Sequence, residues 1–178
     1  MRWLGVLALL LPLSSGGAQA GMPRIGEPAP GFTATTFDDE KFSLDTLRGE
    51  VVIVNFWATW CGPCKKEMPL LDRYARAHRA KGLRIVAVTT DADDIETSSL
   101  KKLQERFGFA LTRKFKGDYN LVKGTLPSNF VIDRAGVLQH VQAGAFTEAQ
   151  LEEILTPLLA EQGGSAASAK PQPESLAR

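Results

Sequence analysis

The chain has 178 residues, which predicts one compact domain with some additional chain rather than two full domains. Hydrophobic residues make up 44% and charged residues 23% of the sequence, so it can bury a core and is not disordered as a whole. The formal net charge is +1, which argues against a nucleic-acid-binding domain, and two cysteines with two histidines are too few for a protein with several metal sites.

The first twenty residues have the features of an export signal. Arg2 provides a positive charge, residues 3–13 form an apolar run, and Ala18-Gln19-Ala20 matches the small-x-small pattern before a signal peptidase site. The apolar run is shorter than the roughly 20 residues that cross a bilayer, so a retained anchor is the less favoured interpretation. We therefore predict a signal peptide over residues 1–20. Its removal takes away one Arg, which leaves 20 basic and 20 acidic residues and a net charge of zero.

The C-terminal end has a different composition. Residues 163–178 consist mainly of Gly, Ser, Ala, Pro and Gln, and Leu176 is their one large aliphatic side chain. Such a segment buries too little apolar surface to offset the entropy lost on ordering, so we expect a disordered tail. The predicted folded domain therefore spans residues 21–162.

Hydrophobic patterns predict the elements of the first half of this domain. Residues 32–44 suggest a small hairpin at the edge of a sheet. Residues 51–57 (VVIVNFW) are a β-branched and aromatic run, as expected for a strand buried on both faces. Residues 62–79 have helical composition, and residues 83–89 form a second apolar run. This strand, helix, strand order predicts a right-handed crossover between parallel strands.

The next segment is harder to assign. A helix is expected to begin after Asp93 or Asp94 as its N-cap and to run to Phe107, where Gly108 closes it. Residues 111–116 are interpreted as a short strand and residues 118–122 as a helical turn.

The last segment has clearer signals. Residues 129–133 and 137–142 flank the turn Arg134-Ala135-Gly136 and predict an antiparallel hairpin. Thr147 as N-cap with Gln150 three residues later predicts a capping box and a final helix through Ala160. Together these elements predict an α/β sandwich with one mixed sheet.

Both cysteines lie in the motif Trp60-Cys61-Gly62-Pro63-Cys64, directly after the central strand and at the start of a helix. The unpaired backbone N–H groups and the dipole at a helix start favour a thiolate at Cys61. Cys64 lies one helical turn further on, close enough to form a disulfide. A thiolate that attacks and a neighbouring thiol that resolves the mixed disulfide are the two parts of thiol–disulfide exchange.

Three other uses of the cysteine pair are less well supported. A purely structural disulfide would close a very small loop, and the entropic gain grows with loop length. A zinc site needs two more ligands at short spacing, whereas His78 and His140 are 62 residues apart. Covalent haem attachment requires a histidine directly after the second cysteine, where this chain has Lys65.

The stretch from Asn55 to Pro69 (NFWATWCGPCKKEMP) resembles the thioredoxin superfamily, and more narrowly the exported thiol–disulfide oxidoreductases of the TlpA/ResA type. The resemblance begins at Gly26 (GEPAPGF) and extends through residues 49–69 to residues 125–133 (TLPSNFVID). It implies a thioredoxin-like sandwich, in which a central mixed β-sheet is flanked by helices, with an N-terminal β-hairpin extension. It also implies a redox-active Cys61–Cys64 disulfide and no other cofactor.

The resemblance assigns roles to residues near this disulfide. Pro127 corresponds to the family's cis-proline, which packs against the disulfide and shapes the groove for a substrate strand. Leu126 would offer its backbone to that strand, with Thr125 at the rim. The other residues expected to bind substrate are Trp60, Gly62 and Pro63.

Glu67 is a candidate proton acceptor for Cys64. A glutamate on a helix is usually exposed to solvent, but this one lies one turn after Cys64 and has no Lys or Arg three, four or seven residues further on. In ResA-like proteins the matching glutamate lies beside the cysteines and tunes their protonation. Cytosolic thioredoxins carry a buried Asp where this chain has Asn55, and an amide cannot accept that proton. The predicted catalytic residues are therefore Cys61, Cys64 and Glu67.

Several other residues receive structural interpretations. Trp60 is expected to pack beside the site and shield it, whereas Trp57 is expected in the core. His78 and His140 are expected to be surface or packing residues. The cluster at residues 91–94 lacks the spacing of a calcium loop and is interpreted as a strand end followed by a helix cap.

The resemblance implies a periplasmic enzyme that exchanges disulfides with protein cysteines and acts as a reductase. The sequence has neither a Walker A nor a GxGxxG motif, so no nucleotide is implied, and its balanced charge argues against a nucleic-acid partner. Cytochrome c maturation is the expected pathway, an inner-membrane protein of the DsbD/CcdA type the expected electron donor, and a monomer the expected state. A disulfide oxidase or isomerase is the alternative, because a dithiol in an oxidising compartment reduces substrates only when electrons are supplied to it.

Two further activities are weighed against this one. The GEPAPGF opening is also similar to peroxiredoxins, which place Thr three residues and Pro seven residues before the peroxidatic cysteine. This chain has Ala58 and Val54 at those positions before Cys61, so a peroxidase is disfavoured. A dithiol carrier of a metal or haem would have Met68 as a third ligand, but no nearby set of His or Met ligands accompanies it.

Overall fold

The structure is a computed structural model that describes residues 23–161, so the predicted signal peptide and C-terminal tail lie outside the described residues. The strands in this range are β1 (Phe32–Thr36), β2 (Lys41–Ser43), β3 (Val51–Trp57), β4 (Leu83–Thr89), β5 (Ala110–Gly117), β6 (Ser128–Ile132) and β7 (Leu138–Ala143). The α-helices in the same range are α1 (Gly62–His78), α2 (Thr97–Gln104) and α3 (Glu148–Ala160). None of these helices is long and apolar enough to cross a bilayer.

The strands form one mixed sheet in the order β2-β1-β5-β4-β3-β6-β7. The pairs β3–β4 and β4–β5 are parallel, and the other neighbours are antiparallel. The predicted crossover from β3 through α1 to β4 is therefore present. The predicted N-terminal hairpin is also present, because β2 forms one edge of the sheet and β1 joins it to β5. These elements confirm the predicted thioredoxin-like α/β fold.

Strand β3 separates two hydrophobic cores. Its seven residues are all buried, and successive side chains point to opposite faces of the sheet. Val51, Ile53 and Trp57 belong to the core that also contains buried side chains of all three α-helices. Val52, Val54 and Phe56 belong to the other core, which is covered by the N-terminal segments and the chain after β5. β3 can therefore carry a polar residue only where a partner meets it inside the protein.

The second helix differs from its prediction. Residues 92–94 form a separate 3-10 turn and Ile95 is extended, so α2 begins at Thr97, after Glu96, and not after an aspartate cap. It also ends at Gln104 rather than Phe107. The Gln104 side chain donates to the Phe109 carbonyl (2.9 Å) and accepts from the Leu111 N–H (2.6 Å), and these two bonds turn the chain into β5.

The structure of the segment after α2 agrees in part with its prediction. The predicted short strand is present as the longer β5. The predicted turn at residues 118–122 is wrong, because the 3-10 turn lies at Val122–Gly124. Tyr119 is instead buried in the aromatic core, and its hydroxyl donates to the Pro30 carbonyl (2.7 Å).

The C-terminal elements confirm their predictions. β6 and β7 form the expected antiparallel hairpin, each within one residue of its predicted bounds. Helix α3 begins after Thr147, and the Thr147 and Gln150 side chains form the capping box. β6 also pairs with β3, and the register places Ser128 opposite Phe56. The start of β6 and the end of β3 therefore lie side by side at the same end of the sheet.

Candidate active site

Cys61 is the last residue of the short connection between β3 and helix α1. It is the N-cap of α1, and the Cys64 N–H donates to its Sγ (3.2 Å). Gly62 and Pro63 fill the first turn and are exposed. Proline is tolerated there because its missing N–H is one that the first turn of a helix leaves unpaired. The same backbone donor that meets the disulfide sulfur would stabilise a thiolate at Cys61 after reduction.

The two cysteines form a disulfide with their Cα atoms 5.3 Å apart. Cys61 is 3% exposed and Cys64 is 1% exposed, so the two cysteines differ little in exposure in this oxidised state. Lys65 and Lys66, which follow the motif, are exposed and add positive charge at the start of α1. Access to the disulfide therefore depends on the residues around it.

The two tryptophans near the motif have opposite environments. Trp57 is buried in the core, as predicted. Trp60 is 71% exposed, so the expectation that it packs against the protein and shields the site is wrong. Trp60 directly precedes Cys61, the N-cap of α1. Trp60 therefore presents a large apolar surface next to Cys61.

The loop before β6 lies at the same end of the sheet as Cys61, which follows β3. The Leu126–Pro127 peptide bond is cis, as predicted. Pro127 is buried, Leu126 is half-buried and Thr125 is exposed. The Ser128 hydroxyl donates to the Thr125 carbonyl (2.6 Å) and accepts from the Val122 N–H (2.8 Å). These two bonds hold the loop against β6, with Thr125 outermost.

Glu67 is buried on the inner face of α1, with 3% of its surface exposed, and is not on a solvated helix face. Its carboxylate accepts hydrogen bonds from the Phe146 N–H (2.6 Å), Asn129 Nδ2 (3.1 Å) and Asn55 Nδ2 (3.0 Å). Burial raises the pKa of Glu67 from 4.5 to about 7, and the three hydrogen bonds act in the opposite direction. Cys64 is three residues earlier on α1, which places the two side chains on one helix face. A carboxyl group with this pKa can exchange a proton near neutral pH.

Asn55 has a role that the sequence did not reveal. It lies directly opposite Asn129 across the β3–β6 pair, and its Nδ2 also donates to Asn129 Oδ1 (2.7 Å). Asn129 and Phe146 were not among the predicted site residues. A signal for the pair existed, because each of two strongly apolar strands, VVIVNFW and SNFVI, contains one asparagine. Their pairing across the sheet required the register.

Asp91 is a second buried carboxylate at this end of the sheet, with 8% of its surface exposed. It precedes the 3-10 turn of residues 92–94, and its side chain makes no cap bond there. It accepts instead from the Thr59 N–H (3.0 Å) and the Thr59 hydroxyl (2.6 Å). Asp91 therefore fastens the segment that precedes Cys61 to the end of β4.

The remaining candidates do not join this site. His78 and His140 are half-buried and pack near Tyr74 and Phe146 respectively, as packing residues. Across residues 23–161 no three His, Cys, Asp or Glu side chains form a group that could hold a metal ion. The chemistry offered by the described site is that of a dithiol and a buried carboxyl group.

The chain is similar in sequence and fold to known thiol–disulfide oxidoreductases and thioredoxin-like proteins. A sequence model of the AhpC/TSA family matches residues 25–141. The thiol-disulfide oxidoreductase ResA of Bacillus anthracis is 36% identical over 135 residues, which cover 74% of this chain and 77% of that protein. The thioredoxin-like protein YneN of Bacillus subtilis is 32% identical over 135 residues, which cover 73% of this chain and 78% of that protein. A crystal structure of a thiol:disulfide interchange protein of the thioredoxin family from Chlorobium tepidum superposes with a TM-score of 0.60 at 25% identity, covering 75% of this chain and 97% of that one.

Proposed function

We propose that this chain, which belongs to the AhpC/TSA family and is a thiol–disulfide oxidoreductase, works as a reductase of protein disulfides. The observation that carries the proposal is the Cys61–Cys64 pair at the start of α1, with the cis-Pro127 loop at the same end of the sheet. A helix start favours the thiolate that attacks, and the neighbouring thiol can release the product.

The reaction has two steps. In the first, the Cys61 thiolate attacks a substrate disulfide, so that a bond between Cys61 Sγ and one substrate sulfur forms while the substrate S–S bond breaks. In the second, the Cys64 thiolate attacks Cys61 Sγ, which closes the Cys61–Cys64 disulfide and releases the substrate sulfur that was bonded to Cys61 as a thiolate. The other substrate sulfur has already left as a thiolate in the first step. Two electrons pass to the substrate, whose two thiolates take protons from water. The Cys61–Cys64 pair ends oxidised.

Glu67 supplies the proton acceptor for the second step. Cys64 must lose its proton before it attacks, and it is 1% exposed, so bulk water has little access to it. Glu67 lies one helical turn away, and its pKa of about 7 allows it to be ionised and still take up a proton. Asn55, at the position of the aspartate in cytosolic thioredoxins, has no carboxyl group for this task.

The substrate strand binds along the cis-Pro127 loop. Thr125 is exposed and Leu126 is half-buried, so the backbone of this loop can pair with an extended peptide. Trp60, which directly precedes Cys61 in the chain, adds an exposed aromatic surface. Gly62 and Pro63 have small side chains and leave the approach to the disulfide open.

The enzyme acts in the periplasm, after export by the N-terminal segment of residues 1–20. Its dithiol is kept reduced by an inner-membrane electron donor of the DsbD/CcdA type, and it works as a monomer. The substrates are the cysteines of proteins in cytochrome c maturation. The supports for this assignment are the export pattern of the sequence and the similarity to ResA.

Two cysteine variants test the roles in the exchange reaction. With a disulfide-containing peptide as substrate, Cys64→Ser is expected to accumulate a mixed disulfide on Cys61, because no thiol remains to resolve it. Cys61→Ser is expected to form none and to lose reductase activity. Equal activity in the two variants and the unaltered protein would contradict the assignment of both cysteines.

The redox state of the pair in cells tests the direction. Rapid acid quenching followed by alkylation of free thiols separates the reduced and oxidised forms by mass. A reduced pair that becomes oxidised when the inner-membrane donor is deleted would support a reductase. A pair that is oxidised in unaltered cells would contradict this direction and favour the oxidase.

A further inference from the structure

The two asparagines beside Glu67 form a hydrogen-bond network whose direction is set by the backbone. The Gly144 carbonyl can only accept a hydrogen bond, and Asn129 Nδ2 donates to it (3.2 Å). The amide group of Asn129 is thereby oriented, with Nδ2 also meeting Glu67 Oε1 and Oδ1 facing Asn55. Asn55 must then present Nδ2 to Asn129, and this same atom donates to Glu67 Oε2. One backbone carbonyl thus fixes both side-chain amides as donors to the carboxylate.

The donors are distributed unequally over the two oxygens of Glu67. Oε1 accepts from the Phe146 N–H and from Asn129 Nδ2, which occupies both of its lone pairs. Oε2 accepts from Asn55 Nδ2 alone. A carboxylate oxygen with both lone pairs in hydrogen bonds has no place for a proton, whereas Oε2 has one lone pair left.

From this geometry we infer that Asn55 and Asn129 are positioning residues, which hold the Glu67 carboxylate in one orientation and leave Oε2 as the oxygen that takes up a proton. The consequence for thiol chemistry rests on the proposed role of Glu67. The pair acts through Glu67 and contacts neither sulfur in the network described here. It replaces the single buried aspartate of thioredoxins by a donor pair and a carboxylate on a different element.

The surroundings of Glu67 contain few other groups that could account for its titration. The groups that β3, β6 and the loop before α3 present to the carboxylate are the two amides and the Phe146 N–H, and none of them titrates. On β7, His140 packs against the Phe146 ring, with the ring centroids 6.0 Å apart. On α1 itself, Lys65 and Lys66 are exposed and the Cys61–Cys64 disulfide does not titrate.

The test is a pH titration of the Glu67 carboxyl carbon by NMR in the oxidised protein. Glutamate is labelled at its carboxyl carbon, and the Glu67 signal is the one missing from Glu67→Gln. Asn129→Leu removes one of the three donors to Glu67 and is expected to raise the midpoint by about one pH unit or more, because a hydrogen bond to a charged group is lost. Asn129→Thr retains a hydroxyl donor and is expected to give a smaller rise.

The third asparagine of the chain provides the matched control. Asn120 is exposed, so Asn120→Thr is expected to leave the midpoint of Glu67 unchanged. Should Asn129→Leu fail to fold, Asn129→Thr decides, since a threonine side chain has nearly the volume of asparagine whereas leucine is larger and Asn129 is fully buried. A midpoint in the Asn129 variants that is unchanged or lower than in the unaltered protein would overturn the inference.

This titration is independent of the proposed function. It uses the oxidised protein, in which neither cysteine can carry a proton, so an error in the thiol role of Glu67 leaves it unaffected. Conversely, an unchanged midpoint in the Asn129 variants would remove the positioning role and leave the kinetic test of Glu67 in place.

Discussion

Glu67 and Asp91 are two buried carboxylates at the same end of the sheet, and they are used differently. Glu67 lies on α1 one turn after Cys64 and meets two side-chain amides and one backbone N–H. Asp91 follows β4 and meets the backbone N–H and hydroxyl of a single residue, Thr59. Both carboxylates are buried, so burial does not distinguish them. They differ in their hydrogen-bond partners and in their distance along the chain from the cysteines.

The difference has a structural origin. The two side-chain partners of Glu67 belong to the central strands β3 and β6, so they hold the carboxylate against the sheet. The partner of Asp91 belongs to the loop that carries Cys61, so Asp91 fixes that loop. We therefore expect substitutions at Glu67 to change pH dependence and substitutions at Asp91 to change stability and the placement of Cys61.

Of the two carboxylates, Glu67 is expected to have the larger effect on stability, through the pH dependence that it gives to the oxidised protein. Its pKa is about 7 when folded and 4.5 as an ordinary glutamate, so the folded state binds more protons between these values. The contribution of Glu67 to the free energy of unfolding is therefore fully present below about pH 4.5. It is lost as the pH rises through about 7, by roughly 3 kcal/mol in total. Urea unfolding at a series of pH values measures this fall, with Glu67→Gln as the variant that lacks it. Parallel curves for the two proteins would contradict the assignment.

Asp91→Ala tests the other carboxylate. It leaves the Thr59 N–H and hydroxyl without their acceptor, and we expect a loss of about 2 kcal/mol in the free energy of unfolding. The slope of stability against pH between pH 5 and 7 should match that of the unaltered protein, because Glu67 is intact. If Asp91→Ala removed this slope, the assignment of the pH dependence to Glu67 alone would be wrong. Thr59→Val is the matched partner variant, since it removes only the hydroxyl donor.

The smallest expected effect on stability comes from Trp60, which neither carboxylate contacts. Because its ring is 71% exposed, Trp60→Ala should change the free energy of unfolding by less than about 0.5 kcal/mol. The same variant should raise the KM for a protein disulfide, as an aromatic contact with substrate is lost. Trp57→Ala is the contrasting variant and should destabilise the protein by about 3–5 kcal/mol, because Trp57 is in the core. A large loss of stability with Trp60→Ala would show that the ring packs against the protein.

The sequence predicts the central parts of this fold well because they depend on local patterns. β3 and β4 have their predicted bounds, since each is an apolar run between turn signals. The capping box of α3 is contained in four residues. The start of α2 was missed because Asp91 and the residues after it form a 3-10 turn, and the Asp91 side chain binds Thr59, which lies 32 residues away.

The site was predictable only in its sequence-local part. The cysteine pair and Glu67 lie within seven residues, and the helical spacing places Cys64 and Glu67 on one face. Asn129 and Phe146 lie 62 and 79 residues from Glu67, so their contacts require the sheet register and the path of the chain after β7. The exposure of Trp60 also depends on how the chain leaves β3, which no local pattern specifies.

The most direct test of the central claim is the rate at which Cys64 resolves a mixed disulfide on Cys61, measured by rapid mixing as a function of pH. The unaltered protein should show an inflection near pH 7, where Glu67 ionises and becomes able to accept the Cys64 proton. Glu67→Gln should lack this inflection and be slower above it, on the order of 10²-fold. Identical pH profiles for the two proteins would contradict the claim that Glu67 accepts the proton of Cys64.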